Sequence, residues 1–263
     1  MSMTKRRLFL LSCTASLVLA ACGGGSDDDF DDRTNAAEPR LRLVHVAPAS
    51  LELTLRRNDV AEPEFTSKGY KFNGAYKDIS TDSSTSTTSL SLRLAATDTA
   101  LSSATFSSQR GRKYTALALT DGVSAKLLLI DDPYNKSLTS EKARVRLVNN
   151  AVNATNVDIY ITAPGASLTT LTPTLTGLAY QQALPASGND SLEFDAGTYE
   201  VQITPVGSKT PFFRNTLVVD KNADWLLVAV PSDGIGLSTP NDIKLLRALT
   251  DDPTLLATEV STL

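Results

Sequence analysis

Cysteine is nearly missing from this 263-residue chain: there are two, Cys13 and Cys22, and the 241 residues after Cys22 hold none. A body without cysteine has no disulfide framework, no thiol nucleophile and no thiolate zinc site. Histidine is reduced to a single residue, His45. That removes the paired histidines of an H-E-x-x-H helix and any histidine-based zinc set. Aromatic residues make up only 6% of the chain, with one tryptophan, Trp225, so an exposed stacking platform for sugars is poorly supplied. No phosphate-cradling G-x-x-x-x-G-K-[ST] or G-x-G-x-x-G occurs, nor a G-x-S-x-G nucleophile elbow; "GIG" at Gly234–Gly236 reads as a hairpin-like loop. Beyond the first 21 residues no apolar run approaches the 18 or so needed to cross a bilayer as a helix. No basic stripe exists for nucleic acid.

What is present begins at the N-terminus. Met1–Arg7 carries Lys5, Arg6 and Arg7 without an acid, and an apolar run follows from Leu8 to Ala20. This is the charged head and apolar middle of a secretory signal. It ends in Leu19-Ala20-Ala21-Cys22, which resembles the lipobox of bacterial lipoproteins. That resemblance implies cleavage between Ala21 and Cys22 and lipidation of Cys22 with palmitate-like acyl chains, the protein then holding to a membrane through its lipid. Two or more chains give stable anchoring, at about 0.8 kcal/mol per buried methylene. Cys13 is discarded with the signal. Arg6-Arg7-Leu8-Phe9-Leu10 resembles the twin-arginine export motif, with Lys5 where Ser or Thr is usual, so the general and twin-arginine routes both stay open. Gly23 rather than Asp follows the lipidated position, which favours the outer membrane in a Gram-negative cell.

Gly23–Pro39 is rich in Gly, Ser, Asp, Asn and Ala, with five aspartates between Asp27 and Asp32. Few apolar groups and dense like charge predict a disordered acidic tether over residues 22–39. No EF-hand loop is present to make the run a calcium site. Loss of residues 1–21 removes three positive groups and takes the net charge from −4 to −7. The tether accounts for −5 of that, leaving the body nearly neutral at −2.

The body carries an internal duplication. "LRLVHVAPASLELTL" (Leu41–Leu55) aligns with "VRLVNNAVNATNVDIYI" (Val145–Ile161), and "TSLSLRLAAT" (Thr88–Thr97) with "GTYEVQITPVG" (Gly197–Gly207). "RKYTALALTDG" (Arg112–Gly122) aligns with "ADWLLVAVPSDG" (Ala223–Gly234), and "KLLLIDDP" (Lys126–Pro133) with "KLLRALTDDP" (Lys244–Pro253). Four blocks in one order predict two tandem units, 40–139 and 140–253, with a C-terminal tail over 254–263. Each block is a short run of period-2 alternation bounded by turn residues, with no amphipathic helix between blocks. The fold class is therefore all-β: two tandem antiparallel sandwiches of seven or eight strands each. "STDSSTSTTS" (Ser80–Ser89) and "TAPGASLTTLTPT" (Thr162–Thr174) are expected as loops or edges where hydroxyls stay hydrated.

The "RLRLVHVAPAS" and "ARVRLVNNA" openings, the "AGTYEVQI" block (Ala196–Ile203) and the "KYTALAL" strand resemble the domain of unknown function 4397 family. The resemblance implies immunoglobulin-like or transthyretin-like β-sandwiches of exported bacterial proteins and carries no established activity. The first unit departs from the family's opening by its serine, and the second by Asn149-Asn150 without proline.

Individual residues read as structure. His45 aligns with Asn149, which cannot act as a general base, so a strand-end histidine satisfying a loop carbonyl is expected. Trp225 aligns with Tyr114 and is expected to plug a sandwich core. Asp131-Asp132 and Asp251-Asp252, each before Pro, suit strand-ending turns. Arg42 and Arg144 or Arg146 are expected to pair across strands with Glu52 and Asp158. The reading is a lipid-anchored protein of the cell envelope, a non-catalytic binding or scaffolding module with no cofactor, no metal and no nucleic-acid partner. Its envelope protein or glycan partner and its ligand-binding residues are unknown. The alternatives are an envelope hydrolase acting on glycans through loop carboxylates, or a glycan- or peptide-binding lipoprotein.

Overall fold

The computed structural model describes residues 33–48, 51–79, 85–236, 239–250, 252 and 254–263. Ala21, Cys22 and the tether as far as Asp32 lie outside the described residues. The first half contributes β1 (Arg40–His45), β2 (Leu53–Arg57), β3 (Val60–Ala61), β4 (Lys77–Asp78), β5 (Thr85–Leu94), β6 (Ala100–Gln109), β7 (Lys113–Asp121) and β8 (Ser124–Asp132). The second contributes β9 (Ala143–Asn149), β10 (Asn156–Thr162), β11 (Leu175–Ala179), β12 (Gln182–Leu184), β13 (Leu192–Phe194), β14 (Gly197–Pro205), β15 (Phe213–Val219), β16 (Asp224–Pro231), β17 (Ile243–Leu249) and β18 (Thr258–Val260).

Among the described residues the strands form four sheets. β3-β2-β5-β6 and β4-β1-β7-β8 make the first half; β12-β9-β16-β17-β18, with β13 beside β9, and β11-β10-β14-β15 make the second. The shared order places β1, β2, β5 and β7 where β9, β10, β14 and β16 stand. Register agrees residue by residue: Leu53 faces Leu94 and Leu55 faces Leu92, while Ile159 faces Ile203 and Ile161 faces Val201. Two pairings are parallel, β1 with β7 and β9 with β16. The sheets are antiparallel as expected apart from these two pairs, one in each inner sheet; alternation of side chains fixes which face is buried and is silent on strand direction.

Three apolar layers separate the four sheets. Leu41, Leu43, Leu53, Leu92 and Tyr114 fill the first sandwich, and Val145, Ile159, Ile203, Phe213 and Trp225 fill the second. The third layer lies between the halves, where Val44, Val46, Leu117, Leu119 and Ile130 meet Val148, Leu226, Val228, Val230 and Leu246. The inner strands are consequently buried on both faces, which is why β7 and β16 read as nearly unbroken apolar runs. In β7 the small Ala116 and Ala118 turn toward the first sandwich and the larger Leu117 and Leu119 toward the other half. At roughly 1.5 kcal/mol or more per buried aliphatic side chain, exposing these ten residues of the layer would cost as much as the whole ~5–15 kcal/mol that holds a domain folded. The halves form one body.

The ends of the chain reinforce that union. β18 extends the inner sheet of the second half, and Leu263 N–H donates to Arg214 O on β15. Just before β18, Asn73 N–H donates to Leu255 O and Ala257 N–H to Lys71 O, tying the tail to the first half. Glu259 then pairs with Lys71 and Lys244, one from each half. Residues 254–263 are thus a seam rather than a loose tail. One of the two Ser/Thr stretches differs from expectation, since residues 85–94 form β5, where Thr88 is buried against Ser108, while residues 163–174 are the expected loop, with Ser167, Thr169 and Thr170 exposed. Residues 163–174 lie against the outer sheet of the second half, where Leu168 is buried.

Candidate functional site

Of the polar residues singled out in the sequence, one of the paired acids and two of the arginines gather at the base of the seam. There Asp132 at the end of β8 meets Arg144 and Arg146 on β9. Arg144 Nη2 donates to Asp132 Oδ1 at 2.5 Å, and Arg146 Nη2 lies 3.6 Å from Oδ2. Ser191 Oγ and Tyr134 N–H also donate to the same carboxylate. Burial opposes ionisation of Asp132, and the charge and hydrogen bond of Arg144 overcome it, holding the carboxyl below its usual range. Arg144 stacks on the Tyr134 ring at 4.4 Å, and Lys113 covers that ring at 3.6 Å. Tyr76 stacks between Lys113 and Arg42 at 5.6 and 4.8 Å. Cation and ring alternate along the seam, so that each buried charge meets a carboxylate or a π face.

This arrangement corrects the expected ion pairs. Arg42, Arg144 and Arg146 turn toward the seam rather than toward Glu52 and Asp158. Arg42 Nε donates to Thr115 Oγ1, and Arg146 Nη1 donates to Pro185 O and Ala186 O. Glu52 is exposed ahead of β2. Asp158 is buried on the other sheet, where its oxygens accept Gly177 N–H and Gly207 N–H at 2.9 and 2.8 Å. The reason is layer geometry: residues at even positions of β1 and β9 face the opposite half, a surface invisible to a single-sandwich reading. The paired acids do end strands in turns. Asp132 Oδ1 accepts Tyr134 N–H and Asp252 Oδ1 accepts Thr254 N–H, two residues on in each case. Asp131 additionally pairs with Arg112 at 2.8 Å, and Asp251 lies outside the described residues.

His45 and Trp225 sit as expected. His45 is fully buried; its Nδ1 accepts Ala47 N–H at 3.3 Å and its Nε2 faces Leu51 O at 3.4 Å. Desolvation lowers its pKa to about 4, against the raising effect of the Leu51 carbonyl. Asn149 makes the same two bonds, accepting Ala151 N–H and donating to Ala154 O. Trp225 is buried in the second core beside β9 and β17.

A second polar cluster, not singled out in the sequence, lies under residues 163–174. Glu200 accepts from Gly165 N–H, Gln202 Nε2 and the Arg214 guanidinium, whose hydrogen bond lowers the Glu200 pKa. Gln202 Nε2 reaches Ala166 O, and Lys209 Nζ reaches Tyr160 Oη and Leu171 O. The cluster straps the covering segment to the sheet. Its signal was the run of alternating polar residues in "GTYEVQIT", unexplained by a solvated face.

Two open clefts lie among the described residues. A cleft of about 690 Å³ at the base is lined by Ser137–Lys142 without Leu138, by Glu193, Asp195 and Ala196, and by Lys221. Glu141 pairs there with Lys221 at 2.5 Å, which lowers the Glu141 pKa. A smaller groove of about 350 Å³, mostly apolar, lies at the other end, between Leu51-Glu52, Ser67 and Leu94–Thr97. Among the described residues no three His, Cys, Asp or Glu side chains are placed to share a metal ion. None of their helices is long and apolar enough to cross a membrane, which says nothing of β-barrels.

Residues 39–160 match the profile of a domain of unknown function. A DUF4397 domain is present there. The match spans the first half and continues through β9 into β10. No curated protein matches the chain. Among solved structures, the crystal structure of a family 26 carbohydrate-binding module, CBMbc of Eubacterium rectale Amy13K in complex with maltoheptaose, aligns at 11% identity. That alignment covers 85% of this chain and 97% of the other, with a TM-score of 0.20.

Proposed function

We propose that this chain is a non-catalytic binding or scaffolding module of the bacterial cell envelope, anchored by lipid on Cys22, with a second DUF4397-type unit following the first. The observation that carries the non-catalytic part is the fate of the reactive side chains. His45, Asp132, Arg144, Arg146, Asp158 and Glu200 are all buried and committed to hydrogen bonds or ion pairs that hold turns, straps and the seam. A hydrolase working between the halves requires a concave site with a close acid pair and a raised pKa. An apolar layer and an ion cluster fill that position, and the acid at its centre, Asp132, is held ionised.

The base cleft, with Glu193 and Asp195, is where the hydrolase reading makes its remaining claim. Incubating the full chain with peptidoglycan and with neutral oligosaccharides, followed by product analysis, tests it. Release of fragments that Glu193→Gln with Asp195→Asn abolishes would replace the binding reading with the catalytic one. Anchoring rests on the lipobox sequence and on the acidic stretch after it, and placement in the outer membrane on Gly23. Cys22→Ala should free the protein from membranes and abolish acyl labelling; membrane association that survives the change would refute the anchor.

A further inference from the structure

The body has a distinct base and crown. The chain enters at the base, where Arg33 Nη1 donates to the carbonyls of Ser137, Leu138 and Ser140. The Asp132–Arg144 pair is at the same end. The crown lies a strand length away, roughly 30 Å for the nine residues of β7 at about 3.3 Å each. Here the two halves are bound by Asn150, whose Oδ1 accepts Thr120 N–H and whose Nδ2 donates to Val46 O. Asn153 Nδ2 donates to Thr239 O and Asp242 O, joining the loop after β9 to the loop after β16.

Five of the eleven large apolar side chains exposed among the described residues are on crown loops: Leu51, Val123, Val152, Val206 and Ile235. Val123 is 90% exposed at the second position of the two-residue turn after β7, where Gly122 takes the positive φ that the turn requires. That position imposes no need for a β-branched aliphatic. The loop after β16 repeats the arrangement, Asp121-Gly122-Val123 being matched by Asp233-Gly234-Ile235. Gly234 and Gly236 bring this loop against its neighbours: a Cβ at Gly234 would lie 3.5 Å from Pro48, and one at Gly236 would lie 2.6 Å from Val152.

Charge defines what such a surface accepts. The described parts of the loops after β1, β7, β9 and β16 (46–48 and 51–52, 121–124, 150–155, 232–236 and 239–242) contain four acids, Glu52, Asp121, Asp233 and Asp242, and no lysine, arginine or histidine; the crown loops 95–99 and 206–212 add Asp98, paired with Arg56 and Arg93, and Lys209, whose Nζ is turned to Tyr160 Oη and Leu171 O. All four acids are exposed. Apolar tips whose free charges are mostly carboxylates repel a second crown and an anionic lipid surface, and attract a basic rim. The route of the chain adds direction. With Cys22 anchored, the eleven residues to Arg33 span roughly 18 Å by flexible-chain scaling, from the end opposite the crown.

We propose that the crown docks a protein partner whose contact surface is apolar at its centre and rich in lysine or arginine at its rim. This deepens the binding-module reading and rests on it. The test is selection of a random peptide phage library on the full-length chain in neutral detergent. Enriched peptides are expected to carry net positive charge together with aliphatic or aromatic residues, and to weaken as salt is raised. Val123→Ser with Ile235→Ser, and separately Glu52→Gln with Asp121→Asn and Asp242→Asn, should each weaken them at least about tenfold, about 1.4 kcal/mol. Unchanged thermal midpoints confirm that these exposed changes leave the fold intact. No enrichment, enrichment of neutral or acidic peptides, or peptides indifferent to Val123→Ser with Ile235→Ser would overturn the crown proposal. In the last case the binding-module reading stands, whereas glycan turnover would remove it. Two further arms guard the choice of occupant. Cosedimentation of the Cys22→Ala chain with phosphatidylglycerol vesicles, or a dimer in sedimentation velocity, overturns the protein-partner assignment if Val123→Ser with Ile235→Ser abolishes it.

Discussion

Replacing His45 with asparagine should leave the protein folded at neutral pH and remove one defined part of its acid sensitivity. The wild-type ring must be neutral, with its proton on Nε2, because Ala47 N–H points at Nδ1. A second proton would place a buried charge against that donor. Unfolded, the ring takes up its proton near 6.5; folded, only near 4. Between those values the unfolded chain binds more protons, so acid favours unfolding. The contribution is complete above pH 6.5, declines as pH falls toward 4, and is fully lost below it. At about 1.4 kcal/mol per pH unit the interval is worth about 3 kcal/mol. Asn149 shows that asparagine makes both bonds at the equivalent place and has nothing to titrate. Urea unfolding of wild type and His45→Asn across pH 7.5 to 4 is the measurement, with the stability difference between them as readout. Carboxylates held low in both proteins, such as Asp132, Glu200 and Glu259, cancel in that difference. Wild type should lose about 3 kcal/mol relative to the variant. A pH-independent difference would refute the reasoning, as would a midpoint near 6.5 for the ring protons, which a single histidine makes unambiguous by NMR.

Other expectations concern the seam. Asp132→Ala leaves Arg144 and Arg146 facing each other without their shared carboxylate, and should cost about 3–5 kcal/mol in urea unfolding. Adding Arg144→Met should recover part of that loss, and no recovery would show that packing rather than charge set the cost. Deleting residues 254–263 removes β18, Ala257 from the central layer and the Glu259 bridge. A lowered thermal midpoint and concentration-dependent light scattering are expected from the uncovered β17 edge. Residues 40–139 produced alone should bind a hydrophobic dye and unfold without cooperativity, since Val44, Val46, Leu117 and Leu119 would face water; a sharp calorimetric transition would contradict this. Gly111→Ala should destabilise strongly, because its φ is +72° and the added Cβ would sit 2.4 Å from the Asn35 backbone.

How much of this was written in the sequence depends on whether a pattern has one physical cause or two. Alternation in "LELTL" and "VDIYI" has one, a sheet with one buried face, and the inferred equivalences hold to the residue. His45 against Asn149 likewise exposed its meaning through substitution: two chemically different side chains that offer one acceptor and one donor to the same turn. "KYTALAL" and "DWLLVAV" have two causes. Each is buried by its own sandwich and again by the other half, and a single sequence shows only that apolar residues are dense. The arginines of β1 and β9 suffered the same ambiguity. Their position on the strand was readable, while the surface they face exists only after the halves meet, so Glu52 and Asp158 were the nearest acids in view.

The same distinction bears on where function is sought. Buried polar residues stand out in a sequence because their chemistry is costly inside a core, yet here that cost is met by the seam, the turns and the strap. An aliphatic residue on a hairpin tip is inconspicuous in a sequence, since exposed valines are common. Val123 and Ile235 gain meaning from position alone: equivalent turns, one end of the body, acids beside each, and the chain's entry at the opposite end. If neither is needed for binding, the repeated Asp-Gly-aliphatic turn should tolerate Ser at both positions with no loss of any partner contact made by the intact chain. If the crown is the contact surface, those two substitutions should separate binding from stability, a separation that no change in the seam can produce.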